Sequence, residues 1–171
     1  AARLWLRPFA STVPTELPGT EGASYPFWSA DSRFIGFFAD GKLKRVAIAG
    51  GNPVIVCDAS AGRGGLWLDD DTIVFAPTAF SPLVRVNAAG GPPAPWTALA
   101  ADETGHRFPQ RLPGRQLLYF SVNRAPEKSG TRLIAIDDPH KAINYVRSKG
   151  AAEYVKGFLL FFPPGPGGPS P

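Results

Sequence analysis

Few places in this chain set chemically useful side chains together. His106-Arg107 puts an imidazole beside a guanidinium. With Tyr25 and Arg63, read as their neighbours in the fold, the pair could hold an anionic group or the carboxylate of a partner. The bland alternative is that both residues hydrogen-bond adjacent loops. Asp137, Asp138 and His140 are metal-capable types, yet two carboxylates and one imidazole within four positions are commonplace in loops. Asp69-Asp70-Asp71 lacks the alternating ligands and distal Glu of an EF-hand and reads as a solvated turn. Cys57 ends the apolar run Val54-Ile55-Val56-Cys57, which points to a buried structural thiol rather than a nucleophile.

Catalytic signatures are missing from the sequence. There is no G-x-S-x-G elbow, no Gly-rich loop followed by a strand lysine, no H-R-D and no D-F-G. The expectation is a chain that is not an enzyme, with no catalytic residue, no metal and no cofactor.

Composition bounds the class. At 171 residues, 44% apolar and 12% aromatic, the chain can build a real core. Its 19 Gly and 19 Pro carry no collagen-like period and favour short elements joined by turns, which predicts an all-β fold. The formal charge is +4, but Lys and Arg are scattered without a basic run, so no nucleic-acid partner is expected. A single cysteine excludes an internal disulfide framework. No signal peptide is visible, and the apolar run Gly157 to Phe162 is too short to cross a bilayer, so this segment is not expected to insert into a membrane.

A repeat organises these residues. Trp28 and Trp67 are 39 positions apart, and the pairs Gly50-Gly51 and Gly90-Gly91 are 40 apart. Between each Trp and its glycine pair come a polar turn, an apolar run, a loop and a second run. The first copy reads Ser29-Ala30-Asp31-Ser32, then Phe34 to Phe38, then Leu43 to Ile48; the second reads Leu68-Asp69-Asp70-Asp71, Thr72 to Phe75 and Leu83 to Val86. In the third, Pro109 stands where Pro26 stood, Pro113-Gly114 makes the turn, Leu117 to Phe120 is the run, and Thr131 to Asp137 follows. A fourth starts at Ala152 and continues through Phe161, while Leu4 to Phe9 and Val13 to Leu17 are the last two strands of a preceding unit. The approximate boundaries are 3–23, 24–62, 63–105, 106–150 and 151–162, with a Pro/Gly-rich disordered tail expected at 163–171. Only Pro139 to Gly150 is expected to hold a short helix.

Four short strands per unit of about 40 residues is the period of propeller blades. The motif P-x-W-S-x-D-S followed by x-x-I-x-F, Pro26 to Phe37, resembles the repeat of TolB-like (WD40-like) β-propellers, usually P-x-W-S-P-D-G-x-x-I-x-F. More narrowly, the segments LPGTEGASYPFWSADSRFIGFFADGKLKRV, AAGG and HRFPQRLPGRQLLYF look like propeller regions C-terminal to the kinase domain of bacterial serine/threonine kinases. Ala30 and Ser32 depart from the usual Pro and Gly, the second copy has DDD, and the third lacks Trp and Asp. The resemblance implies a partial propeller of about three to four four-stranded antiparallel blades, in an open arc, belonging to a longer protein.

Within such a blade Trp28 is expected between neighbouring sheets, Asp31 accepting backbone N–H groups in its turn, and Trp5 and Trp96 in blade packing. Tyr25, Arg63, His106 and Arg107 fall near the mouth of the axial channel, where loops gather and a protein or small-molecule ligand would bind. The function expected is a non-catalytic binding or sensor module, kinase-associated. The alternatives are a scaffold attached to a peptidase or hydrolase, or a stand-alone envelope docking protein. Localisation is open, and extracytoplasmic if the parent is membrane-anchored.

Overall fold

A computed structural model describes residues 2–163, apart from the side chains of 142–145. The fold is all-β and built from antiparallel sheets taken in chain order. β1 (Trp5–Leu6) and β2 (Thr15–Glu16) form a hairpin. The first full sheet is β3 (Ser24–Trp28), β4 (Phe34–Ala39), β5 (Lys42–Ala47) and β6 (Val54–Asp58). The second is β7 (Gly65–Trp67), β8 (Thr72–Phe75), β9 (Val84–Asn87) and β10 (Ala94–Pro95). The third is β11 (Glu103–Leu112), β12 (Gln116–Asn123), β13 (Gly130–Ala135) and β14 (Asp138–Arg147), with a single 3₁₀ turn at Pro126–Lys128. A last hairpin joins β15 (Glu153–Val155) to β16 (Phe158–Leu160). Each full sheet is a simple meander whose sequence neighbours are its hydrogen-bonded neighbours. No closed barrel forms among the described residues.

The helix expected over Pro139 to Gly150 is not there. β14 runs through most of that segment, paired to β13 from Ala135↔Asp138 to Gly130↔Arg147. A tight turn after β13 and an open sheet edge decide the matter, because pairing satisfies the backbone groups that a short uncapped helix would leave bare. The 163–171 tail lies outside the described residues beyond Pro163.

Strands such as FIGFFA are apolar throughout because both faces of their sheet are covered. On β4, Ile35 and Phe37 pack toward Leu4, Leu6 and Leu17 of the first hairpin, whereas Phe38 faces the second sheet. On β8, Ile73 and Phe75 pack back toward the first sheet, and Val74 and Ala76 forward toward Leu117, Tyr119 and Ile134 of the third. The sheets thus stack face to face, with β3, β7, β11 and β15 adjacent in that order. Glycines let the stack close: a Cβ on Gly36 or on Gly65 would sit 2.3 or 2.4 Å from the Phe27 ring, which fills the space both leave.

Backbone geometry repeats more faithfully than sequence. Tyr25, Gly64 and Phe108 all have positive φ (48, 88 and 55°), and seven residues later so do Ser32, Asp71 and Arg115 (59, 59 and 58°). The first position is a bulge in β3 and β11, marked by a register shift between Ser24 and Phe27 and between Arg107 and Gln110, whereas Gly64 stands just before β7, which pairs without a shift. The second closes the turn into the next strand; Ala88 and Ile136 donate backbone bonds to the carbonyls of Asp71 and Arg115, and Ile48 donates to Arg33, one residue beyond Ser32. Asp31 Oδ1 accepts the Arg33 N–H at 3.0 Å, as expected, and Asp70 Oδ1 repeats the bond with Thr72 at 3.1 Å.

The tryptophans divide. Trp67 (4% exposed) is sandwiched between sheets, stacked on Phe34 at 5.9 Å between ring centroids, and Trp96 is buried in the next interface. Trp28, expected in the same place, is 50% exposed, and Trp5 is 59% exposed. What covers Trp67 is the second strand of the preceding sheet, β4. The sheet preceding Trp28 has only β1 and β2, which occupy third and fourth positions, so the described residues hold no counterpart of Phe34 to cover it.

Candidate functional site

The bulges bring the first strands together at one end of the stack. Phe108 donates its N–H to the Arg63 carbonyl at 2.9 Å, and the glycine at 64 is required by both its φ and its neighbour: a Cβ there would lie 3.0 Å from Phe108 Cα. Across this glycine the Tyr25 and Phe108 rings meet at 5.7 Å, and the Arg63 guanidinium lies over the Tyr25 ring at 5.9 Å. Three successive repeats therefore supply one small surface. Tyr25 remains 41% exposed on it, and Arg63 and Arg107 are half-buried.

Strand β11 also clamps the 77–82 loop. Gly105 leaves room for the Ala79 carbonyl, since a Cβ would come within 2.4 Å of that oxygen. The His106 N–H donates to the Ser81 carbonyl at 3.0 Å, and Arg107 donates Nε and Nη2 to the Ala79 carbonyl at 3.2 and 2.9 Å. Phe80, at the tip of this loop, is 76% exposed.

Of the four residues singled out by sequence, the structure brings Tyr25, Arg63 and Arg107 to this surface and turns His106 inward. The His106 side chain is fully buried, its ring 4.5 Å from that of Tyr119. Nδ1 lies 2.8 Å from Thr97 Oγ1 and Nε2 3.1 Å from Glu103 Oε2. Thr97 already accepts the Leu83 N–H, so its hydroxyl proton is free to go to Nδ1, with Nε2–H donating to Glu103. Glu103 also accepts from the Ala100 N–H, from Ser121 and from Arg132. Burial pushes this carboxyl up, but hydrogen bonds from His106, Ala100 and Ser121 outweigh it and hold Glu103 well below the usual carboxylate range. The network ties three strands and the 97–103 loop into one unit, which is a structural task. Sequence reading missed Glu103, Thr97 and Ser121 because they lie in separate segments and match no motif. Phe108 was missed as well, although its alignment with Tyr25 through the two prolines marked it.

What sets the rim apart is that two arginines lie side by side there. Arg3, Arg33, Arg111, Arg115 and Arg132 each pair with a carboxylate. Arg63 and Arg107, which sit close together, form no ion pair among the described residues and bond only to backbone carbonyls. Burial, and then the nearby Arg63 charge, push the Arg107 pKa down. Two neighbouring cations without an acid are short of one anion.

The other sequence candidates are occupied locally. Asp69 is held below its usual range by Arg111, Asp70 caps Thr72, and Asp71 accepts from Trp67 Nε1 at 3.4 Å. Asp137 is paired with Arg115, and a cleft of about 470 Å³ beside it, lined also by Asp138, His140, Arg85 and Trp96, carries charges of both signs. Cys57 is buried, and burial followed by the nearby Asp58 charge pushes its thiol up to about 11. No protein-family model matches the chain, and no curated protein is significantly similar to it.

Proposed function

We propose that this chain is a non-catalytic binding or sensor module, part of a TolB-like β-propeller of the kind found C-terminal to bacterial serine/threonine kinase domains. The observation that carries the binding reading is the Arg63 and Arg107 pair, brought together without a carboxylate at the end of the stack where the first strands of three sheets meet. A fixed cationic pair beside aromatic faces attracts anions, and half-burial strengthens each contact. The propeller reading is supported by the recurring meanders, by their face-to-face stacking and by the adjacency of their first strands. The kinase association rests on the sequence resemblance, and kinase motifs upstream in the parent gene would test it.

Inorganic phosphate, titrated into the full chain and followed by amide NMR, tests the binding reading. Shifts should concentrate at Tyr25, Arg63, Gly64, Arg107 and Phe108 and vanish in the Arg63→Ala/Arg107→Ala double variant. An unchanged response in that variant, with the rest of its spectrum native, would overturn the proposal.

A further inference from the structure

The hydrogen bonds already made at the rim determine which protons remain for a ligand. Arg63 spends Nη1 on the carbonyls of Ala61 and Gly62, at 3.2 and 2.9 Å. Its Nε–H and Nη2 edge, the side of the guanidinium that matches two oxygens of a carboxylate, has no partner among the described residues. Arg107 is arranged the other way: Nε and Nη2 are committed to the Ala79 carbonyl, and Nη1 is left. One free two-toothed edge and one supporting donor suit a planar carboxylate.

The surroundings are apolar. Tyr25 and Phe108 lie against each other beside Arg63, and Phe80 projects from the loop that Arg107 holds. A ligand that placed its charge on Arg63 would rest its body on these rings. We infer that the rim takes a carboxylate carried on an apolar or aromatic body, the chemistry shared by the C-terminal residue of a peptide and by a free aryl or alkyl carboxylic acid. This inference rests on the anion-binding reading and narrows it. Orientation comes from the edge of Arg63, and preference over a bare anion comes from aromatic area removed from water.

The test uses the full chain and four probes: N-acetylphenylalanine, its C-terminal amide, the tetrapeptide Ac-Ala-Ala-Ala-Phe with a free C-terminus, and inorganic phosphate. The Arg63 Nε–H resonance and the amides of Gly64 and Phe108 report binding. The free acid should shift them, and the amide should bind at least about tenfold more weakly, the loss expected for a hydrogen bond to a charged group. Arg63→Lys keeps the charge but removes the two-toothed edge, and should weaken the acid about tenfold. Tighter binding of the tetrapeptide than of the single residue identifies a peptide terminus as the source, and equal binding identifies a small acid. Phosphate shifts without acid shifts, or phosphate shifts with equal binding of acid and amide, overturn this inference and leave the anion-binding rim standing. No response at the rim to any probe overturns both.

Discussion

At the scale of single residues, burial separates side chains of the same type. Trp67→Ala should cost about 3–5 kcal/mol, since it empties a site between two sheets, while Trp28→Ala should cost about 1 kcal/mol or less. Urea unfolding of the two variants checks the difference. Cys57, buried and with its thiol pushed up, should react with a thiol reagent at neutral pH only as fast as the chain unfolds, and at once in denaturant. Glu103 gives a pH signature. Its carboxyl sits lower in the folded chain than in the unfolded one, so the stability it contributes is fully present above its ordinary pKa, near 4.5. That contribution is lost as the pH falls below this value. Glu103→Gln should flatten the acid side of the stability profile, measured by urea unfolding between pH 3 and 7. An acid limb as steep as that of the parent chain would show that the slope comes from other carboxylates.

At the scale of elements, the two left-handed positions in each repeat carry the architecture. One stands at the rim, bulging β3 and β11 and falling just before β7, and the other closes the turn seven residues later. Gly64→Ala should cost about 2 kcal/mol or more, because φ strain adds to a collision with the Phe108 backbone. Gly50→Ala, with the same kind of φ and open space around it, should cost only about 1 kcal/mol. Strand order and turns were legible in sequence because Pro, Gly and Asp recur at fixed offsets from apolar runs. The bulge itself was not, since Tyr, Gly and Phe share no chemistry that announces a positive φ. His106 reads on paper like a surface ligand. Its partners Thr97, Glu103 and Tyr119 come from a loop and two strands that only the folded sheet brings together. β14 was misread for a related reason, because its apolar content is low and its identity comes from pairing with β13 rather than from periodicity.

At the scale of the whole molecule, stacking unites the sheets and the rim. Two apolar interfaces dock the three full sheets and hold their first strands side by side, and the Arg63 and Arg107 pair exists only because the second and third repeats are docked. The tryptophan periodicity showed that repeats were present. It could not show that Trp28 would lie half open, because exposure depends on what lies across the interface rather than on the repeat that carries the residue. The claim on which fold and binding both depend is that the positive-φ positions of three repeats converge at Gly64. The nuclear Overhauser contact between the ring protons of Tyr25 and Phe108, 83 positions apart in sequence, tests it most directly. The stacked arrangement predicts a clear cross-peak in the full chain, lost on urea unfolding. Absence of that cross-peak in a chain whose strands are otherwise formed would contradict it.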